Sequence, residues 1–191
     1  MPPNPNPHAP DLSDVDLLTE TVCTERLVLR PYRPEDADPV YRACQDPDNV
    51  RWLMLPSPYT PADAEEFVGV TTVSARAEQR GLMTAIEADG EFMGSAGLHF
   101  SAGLLGPGIG YWMAPWARGR GYASEAARAL AEWALAHGSP RVHLFADVGN
   151  PASQAVARRA GFRDEGVVRA CIPYRTRPYG DAVLFGRLAG E

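Results

Sequence analysis

Residues 108–137 read GIGYWMAPWARGRGYASEAARALAEWALAH. An apolar run over 109–114 has the length of a strand and is closed by Pro115. Arg118-Gly119-Arg120-Gly121 then makes a tight basic turn. Behind it, Tyr122, Ala126, Leu130 and Trp133 recur at helical spacing, with Ala123, Ala127 and Ala134 beside them and Glu125, Arg128 and Glu132 opposite. The alanines predict close approach of this helix to a sheet. Gly138 and Pro140 end it. A strand, a glycine turn and a helix N-terminus together form an anion cradle: backbone N–H groups point outward and the helix dipole adds partial positive charge. The expected ligand carries phosphate.

Working outward, residues 1–20 open with five prolines in the first ten and then turn acidic, which predicts a disordered or loosely attached tail ahead of one domain over 21–191. Residues 24–33 alternate as a strand, with Leu27 and Leu29 on one face. Pro34-Glu35-Asp36 has the chemistry of a helix start, and Ala37, Val40, Tyr41 and Cys44 form its inward stripe. Thr60-Pro61 starts a second helix, with Phe67, Val70, Val73 and Ala77 at helical spacing. Residues 82–88 and 91–100 are strands joined by the Asp89-Gly90 hairpin turn. Beyond the opening stretch, 141–148 is a strand, Asn150-Pro151-Ala152-Ser153 starts a short helix, and 165–173 and 179–188 are closing strands. Hairpins and a βαβ crossover in one chain predict an α/β fold with a mixed, mostly antiparallel sheet of about seven strands and about four helices.

The 191 residues suffice for one substantial core. Three cysteines without C-x-x-C spacing argue against a disulfide framework and a zinc site, and no metal is expected. All 18 basic residues are arginine, so no lysine Schiff base and no Walker A loop can form. Net charge is −6, yet residues 116–180 hold 10 arginines against 5 acids. The cradle therefore lies in the basic part of an acidic protein, a polarity that fits a small anionic ligand better than nucleic acid. No apolar run reaches membrane-span length and no signal layout opens the chain, so a cytoplasmic protein without a membrane partner is the expectation.

The ordered motifs resemble the GNAT superfamily of acyl-CoA-dependent N-acyltransferases, in its RimJ/RimL-like branch of ribosomal-protein N-terminal acetyltransferases. The resemblance covers about residues 24–188. It is carried by T-E-R-L-x-L-R-P from Thr24, G-Y-W-x-x-P from Gly110, the acyl-CoA signature Arg118-Gly119-Arg120-Gly121-Tyr122-Ala123 continuing into Ser124-Glu125-Ala126, Asn150-x-x-Ser153, and Gly161-Phe162. It implies a sheet splayed between its fourth and fifth strands, counted as above, at a bulge near Met113. It also implies acetyl-CoA as co-substrate, with Trp112 and Met113 holding the pantetheine arm. Residues 118–124, including Arg120, would seat the pyrophosphate, with Asn150 and Ser153 across the slot. Homodimers are common in the family. The competing dinucleotide fingerprint needs an early strand and an acid about 20 residues on, and this turn comes late, after a hairpin.

The resemblance implies direct transfer to a primary amine, either a protein N-terminus or a small molecule. Succinyl transfer, and a non-catalytic acyl-CoA sensor of the same fold, remain open. The family's tyrosine four residues before Gly-Phe is Ala157 here; the RimL-like resemblance implies instead the serine of Asn150-x-x-Ser153, Ser153, as candidate acid for the leaving thiolate, with Asn150 beside it as a candidate catalytic residue that binds the pantetheine or shapes the turn. The glutamate base of RimL-like enzymes has no counterpart, its place being taken by Ile172. His99 titrates in the right range for a base, with Tyr111, His143, Asp147 and Asp181 as further candidates. A backbone N–H near Met113 is the implied oxyanion donor.

Overall fold

The structure is a computed structural model that describes residues 8–100, 103, 105–175 and 178–191. The first seven residues of the proline-rich segment and part of the 103–108 and 173–179 connections lie outside the described residues. Among the described residues eight strands form one sheet in the order β1-β2-β3-β4-β5-β6-β8-β7. They are β1 (Val22–Cys23), β2 (Val28–Arg30), β3 (Gly81–Ala88), β4 (Glu91–His99), β5 (Gly108–Met113), β6 (Arg141–Asp147), β7 (Arg163–Ile172) and β8 (Gly180–Leu188). Every neighbouring pair is antiparallel except β5 and β6.

The strand expected over 24–33 is confined to β2, and a further short strand, β1, precedes it. Thr24 folds back to bond Leu27, its N–H donating to the Leu27 carbonyl at 2.9 Å, and this turn separates β1 from β2. That turn accounts for the eighth strand. Residues 8–20 run against the body of the protein: Leu17 is buried in the core, and the guanidinium of Arg76 donates to the Leu17 and Glu20 carbonyls. Trp133 Nε1 donates to Glu20 Oε1 at 2.8 Å.

Helices cover both faces. On the front, a 3₁₀ turn leads into α1 (Ala37–Ala43), followed by α2 (Pro47–Trp52), α3 (Pro61–Glu66) and α4 (Thr72–Ala77). Val40, Cys44, Ala64, Val68, Ala85 and Phe92 form the core there. Thr60 and Asp63 close a reciprocal capping box at the start of α3. A π turn over Phe67–Thr71 separates α3 from α4. It changes the inward face, because a π turn adds one residue per turn. Val68, Thr72 and Ala75 are buried, while Val70 and Val73, expected on the inward stripe, are exposed. On the rear, α5 (Tyr122–Ala136) and α6 (Pro151–Arg159) cover the sheet. The expected α5 stripe is the buried one, and Ala126, Ala127, Ala131 and Ala134 lie fully buried in the main core.

A buried ion pair ties α1 to the sheet. Arg30 forms a two-pronged bond to Asp36, Nη1–Oδ2 at 2.8 Å and Nη2–Oδ1 at 2.9 Å, and its Nε reaches Glu87 at 2.5 Å. Both carboxylates hold the guanidinium charged against its burial. Removing one partner strands a buried charge. Asp36→Ala is therefore expected to destabilise the fold by about 3–5 kcal/mol, read by urea unfolding. A loss under about 1 kcal/mol, typical of exposed pairs, would show that this pair behaves like a surface bridge.

Candidate active site

β5 and β6 share one paired position, Gly108 with His143, where the His143 N–H donates to the Pro107 carbonyl at 2.9 Å. Beyond that point the strands diverge. Backbone parity along β5 decides what faces the opening. The Pro107 carbonyl turns to β6, and the Ala114 N–H turns to β4, where it bonds Met93 at 2.9 Å. Alternation then aims the backbone groups of Ile109, Tyr111 and Met113 into the gap, and those of Trp112 toward β4. Of the two residues expected to bond the pantetheine through the main chain, Met113 has the right orientation. The main chain of Trp112 faces away, and the residue lines the cleft. The bulge expected near Met113 lies on the neighbouring strand. β5 pairs with β4 in continuous register through Met113, and the irregularity sits in β4 at Met93, opposite Ile86 and Glu87.

The gap opens into a cleft of about 700 Å³. Tyr111, Trp112 and Met113 line one wall, Gly119, Gly121 and Tyr122 to Ser124 the floor, and Asn150, Ser153 and Arg159 the far wall. Gly121 caps α5 at φ 80°, and Gly119 has φ 77°. Both lie in the left-handed region, where a side chain is strained. Nothing stands within 4 Å of a Cβ built on Gly119, and on Gly121 such an atom would meet only the Arg26 guanidinium, at 3.6 Å. The glycines leave open space above the first turn of α5, and the N–H groups of Tyr122, Ala123 and Ser124 have no helical carbonyl to bond. This is the geometry a pyrophosphate needs.

Arginine contributes less directly than the sequence implies. Arg118 lines the cleft, but its guanidinium is bound to Asp46 and to Asn49 Oδ1 at 3.1 Å, with Asp48 Oδ2 at 3.3 Å. It clamps α2 over the cleft. Arg120 is exposed and absent from the cleft wall, and its carbonyl accepts from Arg26 Nη1 at 3.1 Å. Arg26 also bonds Glu125 Oε2 through Nε at 2.8 Å, and Thr24 Oγ1 donates to Glu125 Oε1 at 2.6 Å. Two sequence motifs far apart thus brace one turn.

Asn150 caps α6, its Oδ1 accepting from the Ser153 N–H at 3.0 Å. Ser153 Oγ lies 3.0 Å from the Tyr111 hydroxyl. His99 is not in the cleft wall. It ends β4 opposite Gly108, on the front face, and an atom on Gly110 would meet its Nε2 at 3.5 Å. The residue is exposed, yet its ring is desolvated enough to lower its pKa. His143 lies against Gly108 on the same face, and its Nδ1 donates to the Leu105 carbonyl at 3.1 Å, which leaves Nε2 with the lone pair in the neutral ring. Burial lowers its pKa too. The other base candidates are engaged. Asp147 accepts from the Gly149 N–H at 2.7 Å and the Tyr174 hydroxyl at 2.8 Å, and Asp181 Oδ1 holds the Ala170 N–H at a break in the β7–β8 register.

Sequence reasoning missed α2 as a cleft wall. Its signal was Asp46-Pro47, a cap followed by proline at the first helical position. Asn49 is buried there, and its Nδ2 donates to the Met113 carbonyl at 3.2 Å, so one slot-facing group of β5 is already satisfied. A second cleft, of about 680 Å³, holds the Arg30–Asp36 and Arg42–Asp38 pairs.

Residues 26–163 match the family described as Acetyltransferase (GNAT) domain. The chain belongs to the GNAT acetyltransferase family. It is 29% identical to YdaF of Bacillus subtilis, a candidate ribosomal N-acetyltransferase, over 87% of this chain and 93% of that protein. The GNAT-family acetyltransferase of Bacillus anthracis superposes with TM-score 0.76 at 25% identity, covering 90% of this chain and 100% of that one. RimJ of Mycobacterium smegmatis, solved with a CoA disulfide, superposes at 0.79 and 24% identity, covering 89% and 88%. The GNAT protein is an acyl-CoA-dependent acetyltransferase. Its cradle fits acetyl-CoA: unbonded N–H groups and open glycines for the pyrophosphate, an open strand edge for the amide-bearing arm. No helix of the described residues is long and apolar enough to cross a membrane.

Gly121→Glu places a strained, anionic side chain in the cradle. CoA affinity measured by calorimetry is expected to fall at least 100-fold, with the fold retained. Unchanged affinity would move the pyrophosphate seat elsewhere.

Proposed function

We propose that the protein moves an acetyl group from acetyl-CoA to a primary amine by direct transfer in a ternary complex. One observation carries the reading: the cleft at the gap between β5 and β6 is lined by α2 from the front and by α5 and α6 from behind. Behind it stand the cradle, Asn150 and Ser153; in front, His99 and His143 lie over Gly110 and Gly108. A donor seated from the rear and an amine arriving from the front meet at the edge of β5. Holding both there converts a bimolecular encounter into a local one.

The bond changes follow. The neutral amine forms a C–N bond to the thioester carbonyl carbon, and charge develops on the carbonyl oxygen. The Met113 N–H, turned into the gap, supports that charge. The C–S bond breaks with its electron pair on sulfur, and Ser153 Oγ supplies a proton to the thiolate. His99 takes the proton released by the amine. Asn150 fixes the first turn of α6 and so the position of Ser153. A protein N-terminus is the favoured acceptor, supported by the similarity to YdaF and RimJ. The cytoplasm is the compartment in which acetyl-CoA and nascent ribosomal proteins meet.

Thiol release with acetyl-CoA and succinyl-CoA, measured against peptides with free or blocked N-termini and against small amines, tests the reading. Release is expected with acetyl-CoA and free α-amino groups. CoA binding without release across every amine would overturn it in favour of a sensor. The acid and base roles are tested separately. Ser153→Ala and His99→Gln are each expected to lower kcat about 10²-fold. His99 must be neutral to accept a proton, and its desolvation lowers its pKa. The wild-type rate should therefore hold as pH drops to 6.5 and decline only below it, and His99→Gln should abolish that decline. A decline that persists in the variant assigns it to another group.

A further inference from the structure

The side chain of Tyr111 leaves β5 on the rear face and reaches the first turn of α6. Its hydroxyl oxygen lies 3.0 Å from the Ser153 carbonyl oxygen and 3.0 Å from Ser153 Oγ. A phenol has one hydrogen, and a carbonyl oxygen can only accept. Two arrangements therefore satisfy the trio. In one, the phenol donates to the carbonyl and Ser153 Oγ–H donates back to the phenol oxygen, so the serine proton points away from the cleft. In the other, the phenol donates to Oγ, and the serine proton is released toward the cleft. One rotation of each O–H interconverts them. Only the second presents an acid to a departing thiolate.

An aliphatic hydroxyl alone is also a far weaker acid than a thiol, so Ser153 needs a second proton behind it. Ala157 is fully buried, and the α6 position that holds a tyrosine in many family members offers none here. We propose that Tyr111 is the positioning residue for the acid step, supplying through Ser153 the proton that a tyrosine on α6 would otherwise deliver. As the C–S bond breaks, Ser153 Oγ–H passes its proton to sulfur and the phenol passes its own to Oγ. The proton count closes, because amide formation releases one amine proton to His99 and then water, and water returns one to the phenolate. Desolvation pushes the Tyr111 pKa up to about 12, which keeps the phenol protonated at neutral pH and removes it from the list of bases.

This inference rests on the Ser153 acid role proposed above, and a double-mutant cycle on the full chain separates the two. Initial rates of thiol release from acetyl-CoA and CoA affinity by calorimetry are measured for Tyr111→Phe, Ser153→Ala and the double variant. Tyr111→Phe is expected to lower kcat about 10–100-fold, with CoA affinity within about twofold of wild type. The double variant should be no slower than Ser153→Ala by more than about threefold, because groups acting as one unit do not add. The wild-type solvent isotope effect should show a curved proton inventory that becomes linear in Tyr111→Phe.

If Ser153→Ala keeps full kcat, the acid reading itself fails, and the relay with it. If Ser153→Ala is slow while Tyr111→Phe is not, or if the two losses multiply, the relay is overturned and the acid reading stands. Fluorotyrosine at position 111 preserves the ring packing while lowering the phenol pKa. It should move the high-pH limb of kcat downward, and an unmoved limb contradicts the proposal.

Discussion

The protein is organised by a hydrogen-bond ladder that stops after one rung. β5 and β6 are the parallel neighbours of the sheet, and they are held together only where Gly108 meets His143. Buried backbone groups left without partners are costly, so a strand edge opened inside a sheet must be satisfied by something other than a strand. Here part of the work falls to Asn49 from α2, which bonds the Met113 carbonyl. The rest of the edge is available to an amide-bearing ligand that can act as a substitute strand. The positions of α5, α6 and α2 follow from this opening: α5 starts at its end, α6 walls one side, and α2 closes over the top.

The electrostatics of the cleft come from backbone more than from side chains. Arg118 is held by acids of α2, and Arg120 faces solvent, so neither is a dedicated phosphate clamp in this arrangement. The persistent positive end is the first turn of α5, with its unpaired N–H groups and its left-handed glycines. Glu125 beside that turn does not cancel it, because its carboxylate is committed to Thr24 and Arg26, which hold it ionised with its pKa lowered against its partial burial. The bracing explains why a threonine and an arginine at the start of the chain belong to the same motif set as a glutamate about a hundred residues later.

Much of this was legible in the sequence. The glycine turn, the α5 stripe, the hairpin at Asp89-Gly90 and the cap at Asn150 are local features whose chemistry determines their geometry. The motifs that carry the family resemblance are of this kind. What was not legible depends on long-range placement. The π turn moved the buried face from Val70 and Val73 to Val68 and Ala75, and no local residue pattern announces an extra residue per turn. The bulge near Met113 is carried by the neighbouring strand, at Met93 of β4, since register is a property of a strand pair. A segment whose composition reads as a loose tail is docked by Leu17 in the core and by bonds from Arg76 and Trp133 to Leu17 and Glu20, contacts that no local pattern announces. Tyr111 and Ser153 sit on different elements, and only the fold brings their hydroxyls within 3.0 Å.

The central claim is that the open edge of β5 and the first turn of α5 form one continuous seat for acyl-CoA. Amide hydrogen exchange, read with and without saturating CoA, tests it most directly. The account expects new protection at the slot-facing amides Tyr111 and Met113 and across residues 119–124, with Trp112, whose N–H already faces β4, unchanged. Protection confined to another cleft, or absent from the β5 edge while the α5 turn is protected, would contradict it.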